Sequence, residues 1–286
     1  MEIFSKKVPI DFNYFLFGDD HEGSVFRNNE GWLQLIDHMR SKIDGMPAKS
    51  NFGLDHGDIC DCIDPKDKRY SSTTEKGLIL EQMEQAKKNR IAIREQIVLI
   101  LQGNHDLVKQ HLGAISKTIC NQLGVQYGSW SAKVKFYNRK NYIFSHFATH
   151  GRKTIRSIAD DPKRRRTNKL LSLKRSLRDK PAGDCILNSR GHTHWCDRMK
   201  PANEIYFTAD GQDVLPAIIA ADHTAEYIPP DLRWYVSTGS FLKAYKVGSN
   251  LTGYAESADY DPQRNGYQLA KIRSGKITEI EPVWVE

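Results

Sequence analysis

The sequence predicts an α/β fold in which two mixed β-sheets pack as a β-sandwich flanked by helices. Three observations carry that expectation. Short apolar runs at residues 14–17, 97–101, 142–144 and 185–187 each give way to Gly, Asp, Asn or His, as buried strands do where they open into loops. Between them lie segments with helical spacing, Trp32, Leu35, Ile36, Met39 and Ile43, then Leu107, His111, Leu112, Ile115 and Ile119. After Pro201 the texture changes to β-branched and aromatic residues broken by Gly, Pro and Asp, at residues 204–208, 234–238 and 267–272. Strand and helix thus alternate first and strands follow, which suggests one sheet from each half of the chain, with residues 201–286 completing the second.

The chain has 286 residues, 39% of them hydrophobic, so one large domain over residues 1–286 is expected, with a basic helical insertion at about 152–180 and a strand-rich part at about 201–286. No apolar run is long enough to span a membrane, and residues 1–7 are charged early, without the apolar core of a secretory signal. A cytoplasmic protein with no membrane partner is the expectation. The five cysteines, Cys60, Cys62, Cys120, Cys185 and Cys196, are odd in number and scattered, which argues for reduced thiols.

Possible metal ligands fall into five clusters: Asp19-Asp20-His21, Asp58 with Asp61, Asn104-His105-Asp106, His150, and His192-Thr193-His194. Each sits beside a glycine, at 18, 57, 103, 151 or 191, where a tight turn lets a side chain at a strand end face a site. Mixed Asp and His donors suit borderline divalent ions better than an all-oxygen set would. Taken singly each cluster is weak; five in order, each at a predicted strand end, are not. His146 and His150 both follow the strand at 142–144, and Gly151 favours His150. His38, His56, His111 and His223 lie outside the clusters and read as core or surface residues.

This set resembles the calcineurin-like metallophosphoesterase superfamily, whose motifs run D-x-H, G-D-x-x-D, G-N-H-[DE], H and G-H-x-H. Here they stand at Asp19 to His21, Gly57 to Asp61, Gly103 to Asp106, His150-Gly151 and Gly191 to His194. The resemblance implies a β-sandwich and two divalent ions, manganese foremost, with iron, zinc, nickel or magnesium as alternatives. One ion would be held by Asp19, His21, Asp58 and His194, the other by Asp58, Asn104, His150 and His192. It also implies that His105 acts on the phosphate or leaving oxygen as general acid and that Asp106 orients it.

Net charge is +7, but residues 152–180 hold twelve Lys or Arg against three Asp, +9, so the remainder carries −2. Asp161-Pro162 is a helix start, and Leu170, Leu173 and Leu177 form the apolar stripe of a helix over residues 163–178. Arg152, Lys153, Arg164, Arg165 and Arg166 are therefore candidates to bind a polyanion, and nucleic acid or a nucleotide is the expected substrate. The alternatives are a phosphomonoesterase of a small metabolite and a non-catalytic nucleic-acid-binding module. The module would be missing ligands, and none is missing. A protein phosphatase is disfavoured, because Cys62, not Arg, follows Asp61, and the third motif ends in Asp106 rather than Glu. The sequence does not fix an oligomeric state.

Overall fold

The computed structural model describes the chain except residues 64, 68–69, 71–76, 109–113, 203, 246–249 and 258–259. Two six-stranded mixed sheets face each other. The first runs β1 (Glu2–Lys7), β6 (Ser131–Asn138), β7 (Asn141–Thr149), β8 (Cys185–Arg190), β12 (Trp234–Thr238), β9 (Cys196–Met199). The second runs β14 (Lys276–Trp284), β13 (Gly266–Arg273), β2 (Phe12–Phe17), β3 (Asn51–Asp55), β4 (Ile97–Ile100), β5 (Gln126–Tyr127).

Side-chain alternation along β2 shows the layering. Phe12, Tyr14 and Leu16 turn inward and pack with Phe136, Phe144, Leu187 and Val236 of the facing sheet. Phe15 and Phe17 turn outward to Trp32, Leu35 and Met39 of α1 (Asn29–Arg40) and to Ile119 of α4 (Ile115–Leu123). A strand buried on both faces reads as a continuous apolar run. On the far side, Leu173 and Leu177 of α5 (Pro162–Arg178) pack on Phe147, Cys185 and Tyr235. Asp161 caps α5 by accepting from the amide of Arg164, so this helix stands where the sequence places it. The chain also forms α2 (Ile79–Ile91), α3 (Asn104–Val108) and α6 (Tyr254–Ser257).

Three expectations need correction. The sheets do not divide by halves of the chain: β12 lies parallel to β8 in the first, while β13 pairs antiparallel with β2 in the second. The strand expected at 204–208 joins neither, but pairs within a separate hairpin, β10 (Glu204–Asp210) with β11 (Asp213–Ile219), one face of which exposes Ile205, Phe207, Val214 and Ile218. The helical spacing from Leu107 to Ile119 belongs to two helices, α3 and α4; His111 and Leu112 lie outside the described residues.

Candidate metal centre

All five ligand clusters lie just beyond strand ends at one rim of the sandwich. Asp19 and His21 follow β2, Asp58 follows β3, Asn104 follows β4, His150 follows β7, and His192 and His194 follow β8. Because β2, β3 and β4 are parallel, as are β7 and β8, each sheet delivers its loops to one edge.

Backbone strain concentrates here. Asp19 (φ 53°), His21 (48°), Asp58 (50°), His192 (64°) and His194 (53°) all occupy the left-handed region, which costs a non-glycine residue about 1–3 kcal/mol. Two loops also interlock: a Cβ on Gly103 would lie 2.0 Å from Asp58 Oδ1, and one on Gly57 would lie 2.7 Å from the Gly103 amide nitrogen. The packing that imposes this geometry brings the candidate donors together.

Among the described residues, three overlapping groups of donor atoms result: Asp19 with His21 and His194; His21 with Asp58 and His105; Asp58 with His150 and His192. His194 Nε2 lies 3.5 Å from Asp19 Oδ1 and 3.3 Å from His21 Nε2. Asp58 Oδ2 lies 3.3 Å from His150 Nε2 and 4.0 Å from His21 Nε2, so Asp58 stands between the two sides. Asn104 Oδ1 is 2.9 Å from His150 Nε2. Asp19, His21, Asp58 and His150 are buried, while Asn104, His192 and His194 are partly open to solvent.

The histidines share a pattern. His21 Nδ1 bonds Asp61 Oδ1 at 2.8 Å, His150 Nδ1 donates to the His56 carbonyl at 2.7 Å, and His105 Nδ1 donates to the Asp61 carbonyl at 2.5 Å. One nitrogen of each ring is thus engaged outside the cluster, and for His21 and His150 Nε2 turns inward; such an outer partner fixes the tautomer and orientation of a metal-binding imidazole. This donor set, carboxylate, amide oxygen and inward-facing imidazole, fits divalent transition ions.

Charge coupling is strong. Burial alone would raise the Asp58 carboxyl, yet His150, His105 and His21 around it hold it well below the usual carboxylate range. Burial would likewise lower His150, but Asp58 and Asp19 push it up to about 9. A divalent ion would replace the proton that makes this pairing favourable.

Asp106 does not occupy the orienting position the sequence suggests. Its carboxylate accepts from the Ser116 hydroxyl and, at 3.4 Å, from the Gly103 amide, and burial pushes it up to about 7. The residue that holds the His105 ring by Nδ1 is Asp61. His146 lies within β7, where its Nδ1 bonds the Tyr14 hydroxyl at 3.0 Å and its Nε2 meets Ser189 Oγ at 2.6 Å, so His150 is the histidine in the cluster. Asp20 points away, to Arg27 and to the fully buried Arg90, which also grips Asp55.

Arg90 was not legible as part of this site, whereas the sequence does place Thr238-Gly239-Ser240 as a turn near it. Ser240 Oγ donates to the Asp19 carbonyl at 2.8 Å, and the Phe241 amide does so at 3.0 Å, tying the turn at 238–240 to the first ligand loop. An Arg in the last turn of α2 carries no motif signal.

Of the basic candidates, Arg152, Lys153 and Arg164 are exposed. Arg165 bonds the carbonyls of Ala159 and Asp160, and Arg166 makes a two-point bridge to Asp197 at 2.6 and 2.8 Å. The cavity of about 540 Å³ that opens onto the cluster is lined by Arg156 and Lys169 instead of these five.

The chain is similar to a metallophosphoesterase. Among solved structures the likeness is to the crystal structure of a metallophosphoesterase from Sphaerobacter thermophilus, at 12% identity and a TM-score of 0.41, over 96% of this chain and 89% of that one. No family model and no curated protein matches. A likeness at that level carries no functional argument; the side chains do. No described helix is long and apolar enough to cross a membrane.

Proposed function

We propose that the chain is a dinuclear-metal phosphodiesterase that hydrolyses phosphodiester bonds of nucleic acid or nucleotides. The observation that carries this is the position of Asp58, shared between a group with His21 and a group with His150 and His192. A carboxylate set between two half-sites can hold two ions close together. Asp19, His21, Asp58 and His194 would hold one ion, and Asp58, Asn104, His150 and His192 the other, with manganese the expected activator.

When bound, two such ions would supply the charge that activates water and stabilises the phosphoryl oxygens in an in-line displacement. The protein's own part is distinct. His105, its Nδ1 donating to the Asp61 carbonyl, would protonate the leaving oxygen through Nε2, a contribution of typically 10²–10⁴-fold. Asp61 serves two rings at once, accepting from His105 through its carbonyl and bonding His21 through its carboxylate. Asp106 braces the turn that starts α3 through Gly103 and Ser116.

Support for an anionic polymer or nucleotide comes from the +9 segment between the fourth and fifth ligand loops, of which Arg152, Lys153 and Arg164 stand exposed. Part of that charge is already neutralised by Asp197, Asp231 and Asp261, which lowers its weight as a continuous polyanion track.

The test is hydrolysis of bis-p-nitrophenyl phosphate against p-nitrophenyl phosphate with Mn²⁺. Faster diester cleavage that collapses in Asp58→Asn supports the proposal, and His105→Ala should cost more on a dinucleotide than on the aryl ester, whose leaving oxygen needs less protonation. Faster monoester cleavage would favour a phosphomonoesterase. No activity despite bound metal would leave the binding module.

A further inference from the structure

The cavity above the cluster has a composition that metal chemistry does not require. Besides Asp58, Asn104, His105, His192 and His194, its wall includes Trp195, Tyr260, Ile155 and Leu242, together with the cations of Arg156 and Lys169. Trp195 directly follows His194, so its ring is anchored one residue, about 3.8 Å of backbone, from a candidate ligand. The Lys169 ammonium lies 5.8 Å from the Trp195 ring centre, and the Arg156 guanidinium lies 5.2 Å from that of Tyr260.

Lys169 is unusual for its helix. It is 9% exposed, whereas Arg164, Arg166 and Arg175 face solvent. Its described ion pair is with Asp261, at 3.6 Å and itself exposed. Burying most of a lysine against an aromatic wall is costly unless its charge is used. Counting Arg156 and Lys169 against Asp261, the wall outside the metal cluster carries one net positive charge.

We propose that this cavity is a nucleoside subsite: a base stacks on Trp195 and Tyr260, while Lys169 and Arg156 bind an anionic group beyond the phosphate held at the cluster. The proposal rests on the phosphodiesterase reading and narrows it to a single nucleotide unit, free or at a chain end. The volume, about 540 Å³, falls in the range of small-molecule sites, roughly 300–1,000 Å³, and suits one nucleoside with its phosphates. Aromatic faces stack any base, and paired cations beside them favour an anionic aromatic ligand over an acyl chain, which would need an unbroken apolar lining.

Two p-nitrophenyl diesters with the same leaving group test this: thymidine 5′-(p-nitrophenyl phosphate) and ethyl p-nitrophenyl phosphate, with the Mn²⁺-loaded full chain. The nucleoside ester should have the higher kcat/KM by on the order of 10²-fold, and Trp195→Ala should cut that ratio about tenfold, with Trp195→Phe retaining most of it. If Trp195→Ala fails to fold, Tyr260→Leu takes its place and should lower the ratio as well. A wild-type ratio near one overturns the subsite while leaving the phosphodiesterase reading intact. Should neither ester be cleaved, that reading fails, and calorimetric binding of adenosine 5′-monophosphate against ribose 5-phosphate decides the subsite by itself. Tighter binding of the nucleotide, weakened by Trp195→Ala, supports it; equal binding of the two overturns it.

Discussion

Replacing Arg90 by Met should destabilise the protein by roughly 3 kcal/mol, although Arg90 touches no candidate metal ligand. Its side chain is fully buried, with Nε and Nη2 bonding Asp55 Oδ2 at 2.9 and 2.8 Å, and Nη2 and Nη1 bonding the Asp20 carboxylate at 2.9 and 3.3 Å. Removing one partner of a buried ion pair costs about 3–5 kcal/mol, mostly because the charge left behind has no counterpart. Two features place the loss at the low end. Burial already pushes the Asp55 carboxyl up to about 6 against the pull of Arg90, so without the guanidinium it takes up a proton; Asp20 meanwhile keeps Arg27 at 3.2 Å. Urea unfolding measures the change as a shift in midpoint at constant slope. The double variant Arg90→Met, Asp55→Asn should recover at least about 1 kcal/mol, since the orphaned carboxyl is then gone. A loss below about 1 kcal/mol for Arg90→Met would refute the reasoning that this network anchors the 18–21 and 55–58 loops.

Other consequences can be checked separately. Burial lowers His56 to about 4 and His146 well below its ordinary value, so the unfolded chain takes up these protons first. Their contribution to stability is complete above about pH 6.5 and is lost as pH falls toward 4, by up to about 1.4 kcal/mol per pH unit for each ring; thermal unfolding across that range should show it, with a shallower slope in His146→Gln. Asp61→Asn should weaken metal binding by about 10–100-fold by loosening His21, and calorimetric titration with Mn²⁺ measures that directly.

Much of this was legible in the sequence, for physical reasons. Ligand residues that must meet at a strand end keep a fixed spacing to their glycines, and α5 announced itself through Asp161, Pro162 and its leucines. Sheet membership was not legible, because two-residue alternation reveals a buried face but not the partner strand, and β12 and β13 separate only through long-range pairing. The length of β7 was hidden because Ser145 and His146 are polar, yet both are buried, His146 against Tyr14 and Ser189. The exchange of roles between Asp106 and Asp61 reflects the path of the loop after Asp58, which motif spacing does not encode. Arg90 reads as a surface residue of an exposed helix until the fold turns it inward onto Asp20 and Asp55.

The central claim is that two ions share Asp58, and metal content per chain tests it most directly. Wild-type protein dialysed against Mn²⁺ and analysed by mass spectrometry should carry two ions per chain, and Asp58→Asn should carry fewer than one while keeping its fold by circular dichroism. Two ions retained in the variant, or none in the wild type, would contradict the account.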